Sequence, residues 1–173
     1  MIIEPSPLNA CTVRALLVAR EGISDYRLDP EFMETAKNLM YQCLDFISRH
    51  EPIRMDAWDF VEAGFPFFYK ALISGEFGKF EKVYKVSGFK ENREKDCYEL
   101  ADGWHYKALK TYQAIQRFGE GRYIYQIDKH VFGVLDGKIC CDPNWMEGKE
   151  RSRVPVQAVY RYIGEENGME EDN

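Results

Sequence analysis

The sequence predicts an α+β fold in which N-terminal helices pack against a C-terminal antiparallel sheet. Helical spacing of apolar residues prevails as far as residue 118, alternating and β-branched runs prevail from residue 122, and an Asp-Gly pair separates two of those runs. Helices followed by antiparallel strands are typical of α+β proteins. With 173 residues, 45% of them hydrophobic, the chain can bury one core. We expect a single domain over residues 1–164, followed by an acidic, disordered tail at 165–173.

The first two helices are indicated by apolar spacing and by end signals. The first is expected over about 10–20, because Val13, Leu16 and Leu17 share one helical face. The second is expected to begin with Asp29 as N-cap and Pro30 as first residue, and to end near His50. Its apolar face holds Phe32, Ala36, Leu39, Met40, Cys43, Leu44 and Ile47. That spacing makes Cys43 a core thiol.

The middle of the chain has weaker patterns. One or two further helices are expected over 54–75, interrupted at 64–66, and the alternation over 79–86 predicts a strand. The polar stretch 87–97 predicts an exposed loop, and a third long helix is expected over about 103–118 with Asp102 as its cap.

The C-terminal region predicts an antiparallel meander. Strands are expected over 122–127 and 130–135, and Asp136-Gly137 is a strong signal for a two-residue hairpin turn into a return strand at 138–141. The remaining elements are a loop and then a last strand or short helix, over 144–151 and 154–163.

Composition argues against several classes of function. A net charge of −6 and a pI near 5.2 leave no broad basic footprint for nucleic acid. There is no apolar stretch of membrane-spanning length and no signal-peptide pattern. Five cysteines without a framework spacing or a C-x-x-C motif favour free thiols in the cytoplasm, without a metal site. We therefore expect no nucleic acid, membrane, metal or organic cofactor as a partner.

Cys11 is the first candidate for chemistry. With Asn9 as N-cap, Cys11 falls in the first turn of a helix, where unpaired amide N–H groups and the positive end of the dipole stabilise a thiolate. The alternative is a small buried residue at a helix start. The Cys11 backbone N–H is the natural oxyanion donor, and the Asn9 side chain is a second candidate whose competing role is the cap itself.

His130 is the candidate base, because it opens a strongly apolar strand and can face a cleft while the sheet holds it. A satisfied histidine at a sheet edge is the alternative. His50, in the last turn of a helix, and His105, at an exposed helix start, suit the role less well.

Asp142 is the candidate orienting group for the histidine. Pairing across the turn at 136–137 places residue 142 opposite 131, and therefore beside His130. Asp136 lies at the tip of the turn, where the turn conformation alone accounts for an aspartate. Asn144 is the second candidate after Asp142.

Two further residues complete the candidate site. Arg14 follows Cys11 by about one turn and would hold a substrate carboxylate or, as we favour, pair with a structural acid. Trp145 would shield the histidine–carboxylate pair, line a subsite, or simply lie in the core.

The order of Cys11, His130 and Asp142 is similar to that of the papain-like cysteine peptidase superfamily in its broad sense, with its NlpC-type and bacteriocin-processing members. More narrowly, A-C-T-V-R-A-L at 10–16 resembles the D-C-V-V-R-A-L opening of small phage and bacterial proteins. K-H-V-F-G-V-L-D-G-K-I-C-C-D at 129–142 resembles their late G-H-V-V-A-V-x-D-G-x-I-x-D segment. The resemblance implies a papain-like fold.

The resemblance also implies Cys11 as nucleophile, His130 as base and Asp142 as orienting group. The chain departs from the family pattern in having Ala10 in place of an acid and Lys129 in place of a glycine.

The expected function is hydrolysis of an amide, isopeptide or thioester bond in a protein or peptide substrate, in the host cytoplasm if the protein is phage-encoded. The alternatives are acyl transfer by the same triad, as in transglutamination, and a non-catalytic phage-type binding protein on the same scaffold.

Overall fold

The fold is α+β, as the sequence predicts, with helices packed on an antiparallel sheet. The computed structural model describes residues 5–27, 29–50, 54–86, 89–92, 97–100, 108–143 and 145–164, with the backbone alone for 89–92 and 97–100. The helices are α1 (Cys11–Ala19), α2 (Pro30–His50), α3 (Ala57–Ala63), α4 (Phe68–Ser74) and α5 (Thr111–Phe118), and a 3₁₀ turn at Pro7–Asn9 precedes α1. The strands are β1 (Lys79–Lys85), β2 (Phe89–Asn92), β3 (Cys97–Leu100), β4 (Arg122–Ile127), β5 (His130–Leu135), β6 (Lys138–Cys140) and β7 (Ala158–Gly164).

The main sheet has the strand order β1-β7-β4-β5-β6, and neighbouring strands are antiparallel throughout. Two-residue turns join β4 to β5 and β5 to β6. In the second turn both Asp136 and Gly137 have positive φ, 51° and 81°, which matches the type I′ geometry expected of Asp-Gly. The strands expected over 122–127 and 130–135 and this hairpin turn are therefore confirmed.

Helix α1 lies directly on β5 and positions the start of the helix beside the start of the strand. Gly133, in the middle of β5, permits the close approach, because a Cβ there would come within 2.3 Å of the Val18 Cβ. The core on this face of the sheet is completed by apolar residues of α1, α2, α3, α4 and the strands. A second core on the other face includes Tyr125, Phe132 and Val159.

Helix α2 begins as its sequence predicts. The Asp29 carboxylate accepts a hydrogen bond from the Phe32 backbone N–H at 2.8 Å, and Pro30 is the first helical residue. Cys43 lies on the buried face of the helix and is fully buried. Two separate helices, α3 and α4, occupy the stretch 54–75, as predicted.

Two predictions for the middle of the chain are wrong. The stretch 87–97 is not simply a loop, because β2 pairs with β3 in a separate hairpin. The helix expected from residue 103 begins at Thr111, because the segment before it is extended and bonded to the 154–156 segment. The Leu109 backbone carbonyl accepts from the Val156 N–H, and the Thr111 N–H donates to the Val154 carbonyl.

Several predicted features lie outside the described residues: the helix cap at Asp102, His105 and the acidic tail at 165–173. Within the described part of the chain, no helix is long and apolar enough to cross a bilayer.

Candidate active site

The candidate nucleophile Cys11 is the first residue of α1 and is half-buried. The N-cap is Ala10, which is in an extended conformation and offers no side-chain cap. The amide N–H groups of the first helical turn have no partner within the helix, so the positive end of α1 is directed to the sulfur and its surroundings. Asn9 is therefore not the N-cap, and its exposed side chain lies one residue too early to cap α1.

The Cys11 thiol and the His130 ring shift each other's pKa through a side-chain hydrogen-bonding interaction and through charge. The Nε2 nitrogen of His130 is used by Asp142, at 3.0 Å from Oδ2 and 3.1 Å from Oδ1. Because a carboxylate only accepts, Nε2 donates to Asp142, and Nδ1 is the ring nitrogen left to exchange a proton with the thiol. The arrangement is therefore thiol, imidazole and carboxylate in series.

The backbone N–H of the next residue of β5, Val131, also interacts with Cys11 and lowers the pKa of its thiol. The β5–β6 ladder pairs residues 133–135 with 138–140 and stops there. Val131 is paired with Gln126 of β4 but lies beyond the last pair with β6, so β6 does not use its N–H. The nucleophile is thus held by two consecutive residues of one strand.

The two titrating groups shift each other's pKa in opposite directions. Burial by itself would raise the pKa of Cys11, but the hydrogen bond and charge of His130, the Val131 N–H and the charge of Arg14 together lower it below the ordinary thiol value. Burial by itself would lower the pKa of His130, but Asp142 and Cys11 raise it to about 9. These opposed shifts favour transfer of the Cys11 proton to His130, which gives a thiolate–imidazolium pair.

Asp142 is almost fully buried, with 1% of its surface exposed, and its carboxylate is surrounded by donors. Besides His130, the Met146 backbone N–H donates to Oδ2 at 2.9 Å, and Arg14 Nη2 lies 3.4 Å from Oδ1. A buried carboxylate requires such partners, because an unpaired one carries a large desolvation cost.

Asp142 reaches His130 by a backbone turn rather than by strand pairing. Cys141 has a positive φ of 55°, so the chain leaves β6 after Cys140 and the predicted return strand is one residue too long. The loop then closes on itself, since the Asp142 N–H donates to Glu147 Oε1 and the Glu147 N–H donates to the Asp142 carbonyl.

Trp145 covers the His130–Asp142 pair. Its ring stacks on the His130 ring with the centroids 4.8 Å apart and the planes 23° from parallel. It is 54% exposed, so the interpretation of Trp145 as a core residue is wrong. The indole separates one face of the imidazole from water and leaves its own outer face to the solvent.

The structure brings Cys11, His130, Asp142, Arg14 and Trp145 together. Asn9 is exposed, and Asn144 lies outside the described residues. His50 has other contacts, because its ring stacks on Phe46 and lies beside Glu76 at the end of α2. Asp136 accepts from the Gly121 N–H at the hairpin tip.

The other thiols whose side chains are described differ from Cys11. Burial raises the pKa of Cys43 and of Cys140, and burial with nearby acidic groups raises the pKa of Cys141 to about 12. Cys11 is therefore the one among these four thiols whose pKa is lowered.

Comparisons of this chain with protein-family models, with curated proteins and with solved structures gave no match. The functional interpretation consequently depends on the geometry of the site itself.

Sequence reasoning missed the contributions of Val131, Met146 and Glu147. The first two act through backbone N–H groups, which leave no signal in residue type. Glu147 had a weak signal, because Asp142-Pro143 is typical of a turn start and an acid five residues later can bond back to it.

Proposed function

We propose that this protein is a cysteine-dependent hydrolase with a papain-like fold, acting on an amide, isopeptide or thioester carbonyl. The observation that carries the proposal is the His130 ring, which interacts with the Cys11 thiol and whose Nε2 is hydrogen-bonded to the buried Asp142 carboxylate. A nucleophile, its base and an orienting group in contact are the diagnostic arrangement for covalent catalysis. A helix-borne cysteine against the first residue of an antiparallel strand supports the papain-like assignment.

In the first half-reaction the Cys11 thiolate, whose proton is already on His130 Nδ1, attacks the carbonyl carbon. A C–S bond forms and the carbonyl oxygen becomes negative. Collapse of this intermediate breaks the bond to the leaving group, which takes the proton from His130. The product is a thioester on Cys11.

In the second half-reaction water gives a proton to His130 and attacks the thioester carbon. The C–S bond breaks, the acid product leaves, and the thiolate–imidazolium pair is restored. With an amine in place of water the same steps would give acyl transfer.

The negative oxygen needs a donor in both half-reactions. The backbone N–H of Cys11 is suited to this role, because it belongs to the unpaired amides at the start of α1. Asp142 meanwhile keeps Nε2 as the donor side of the ring, so that Nδ1 stays directed at the sulfur.

The proposal is tested with a thiol-directed probe such as iodoacetamide and with site mapping by mass spectrometry. At neutral pH, Cys11 should be alkylated well before Cys43, Cys97, Cys140 and Cys141. The variant His130→Ala should slow alkylation of Cys11 by about tenfold or more, since a shift of one pKa unit changes the thiolate fraction tenfold. His50→Ala is the matched control and should leave the rate unchanged. Equal, slow labelling of all five cysteines would reject the proposal and favour a non-catalytic binding protein.

A further inference from the structure

Arg14 makes two contacts that tie the start of α1 to the candidate orienting group. Its Nη1 donates to the Leu8 backbone carbonyl at 2.8 Å, and its Nη2 lies 3.4 Å from Asp142 Oδ1. The two contacts use different nitrogens of one planar guanidinium, so the fork holds a fixed direction. The side chain is 13% exposed, and its charge therefore lies in the same poorly solvated region as Asp142.

The charges of the site balance only when Arg14 is counted. With Cys11 as thiolate and His130 as imidazolium, the series Cys11, His130 and Asp142 carries two negative charges and one positive charge. A net negative charge in a buried site is costly. Without Arg14, the imidazolium would be neutralised by Asp142, and the thiolate would be the uncompensated group. The guanidinium supplies the second positive charge.

We propose that Arg14 is a positioning residue for this site. It balances the charge of the Asp142 carboxylate and orients it, so that the positive charge of His130 remains available to stabilise the Cys11 thiolate. The inference rests on the proposed function and adds Arg14 to the set formed by Cys11, His130 and Asp142. With a cation in this position, the buried Asp142 carboxylate can contact His130 without neutralising the positive charge of the imidazolium.

The other titratable groups of this region do not supply the charge in place of Arg14. Among the described residues, and besides Cys11 and His130, Tyr26, Cys141 and Glu147 interact with Arg14 or Asp142, and Asp25 acts on Cys141. Each of these side chains is neutral when protonated and negative when deprotonated, so none of them supplies a positive charge. Tyr26, whose hydroxyl donates to the Cys141 carbonyl, keeps its proton because burial raises its pKa to about 12.

The test is the pH dependence of Cys11 alkylation in Arg14→Met, Arg14→Lys and the wild type. Removing the positive charge should raise the midpoint of the alkylation curve by about one pH unit, which is about tenfold in rate below the midpoint. Lysine retains the charge without the fork, so Arg14→Lys should recover most of the shift. Arg20→Met is the matched control, because Arg20 ends the same helix and contacts Glu21 and Gln42 instead.

The outcomes separate this inference from the proposed function. If the wild type has a low midpoint and Arg14→Met keeps it, the inference is overturned while the proposed function stands. If the wild-type midpoint is that of an ordinary thiol, the proposed function fails first. A purely structural role would lower thermal stability without moving the midpoint of the folded protein. Should Arg14→Met not fold, Arg14→Gln retains a donor for Leu8 without the charge, and the same upward shift is expected.

Discussion

Gly133 lies directly beneath Val18, so closely that a Cβ on residue 133 would come within 2.3 Å of the Val18 Cβ and 2.7 Å of its Cγ1. The contact sets how near α1 can come to β5. Since Cys11 begins that helix and His130 begins that strand, the same contact governs the approach of the sulfur to the imidazole.

Gly133→Ala should therefore affect both stability and site chemistry. Overpacking of this kind costs about 1–3 kcal/mol in free energy of unfolding, measured by urea denaturation. The displaced helix should also slow Cys11 alkylation at neutral pH. Val18→Gly in the same chain removes the Cβ that the new methyl group would meet, so the double variant should lose less than the sum of the two single losses. Strictly additive losses in the double variant would show that the two residues are not coupled.

The pH behaviour follows from the two opposed pKa shifts. The pKa of Cys11 is lowered, because the His130 contacts outweigh burial, so the thiolate forms as the pH rises through a value below the ordinary 9.0. The pKa of His130 is raised to about 9, so the imidazolium is lost only as the pH rises through that value. The ion pair should exist between these limits. Amide hydrolysis should fall above about pH 9, because His130 is then deprotonated and cannot protonate the leaving group.

This window can be measured without a substrate. Alkylation of Cys11 by iodoacetamide reports the lower limit, and an NMR titration of the His130 ring reports the upper one. In Cys11→Ala the His130 midpoint should fall, because one of the groups that raises its pKa is gone. A wild-type His130 midpoint near the ordinary 6.5 would contradict the ion pair.

Asp142→Asn tests the orienting role. The amide can still accept one hydrogen bond, but it no longer balances the charges of His130 and Arg14. The pKa of His130 should fall, and breaking a largely buried pair should destabilise the protein by about 3 kcal/mol. Chemical denaturation and the His130 titration measure the two effects. Asp136→Asn, at the hairpin tip, is the control and should change the His130 titration little.

Trp145→Ala tests the shielding of the base. Removing the indole opens one face of the imidazole to water, which weakens its hydrogen bond to Asp142 and should lower the alkylation rate of Cys11 severalfold. Trp58 on α3 is a control of similar exposure, 52% against 54%. Equal effects of Trp58→Ala and Trp145→Ala would indicate a general loss of stability instead.

Lys129→Gly tests backbone strain next to the base. Lys129 has a φ of 61° in the β4–β5 turn, a left-handed conformation that costs a residue with a Cβ about 1 kcal/mol. Glycine should raise the free energy of unfolding by about 0.5–1 kcal/mol. Lys129→Ala removes the same charge without freeing the backbone and should give no such gain; equal stability of the two variants would exclude strain as the cause.

The sequence predicted those parts of the molecule that follow from local patterns. Helix α2 with its Asp29 cap and the turn at 136–137 were predictable because cap and turn residues act within a few positions. The proximity of Asp142 to His130 was predicted from strand register, but the chain reaches it by a turn at Cys141, just after β6. The link between Arg14 and Asp142 was not predictable, because it joins residues 128 positions apart through side chains alone. The cap at Asn9 failed because the preceding 3₁₀ turn shifts the start of α1 to Cys11.

The site draws its titrating groups from two short stretches, residues 11–14 and 130–142, which α1 and the β5–β6 hairpin bring together. Helices α2, α3 and α4 support this pair from behind. Substitutions at exposed positions of α3 and α4, such as Trp58 and Ile73, should accordingly leave the reactive thiol unchanged, whereas the buried residues of these helices are needed for the core. The outer surface of these two helices can therefore change in sequence while the reacting groups stay the same.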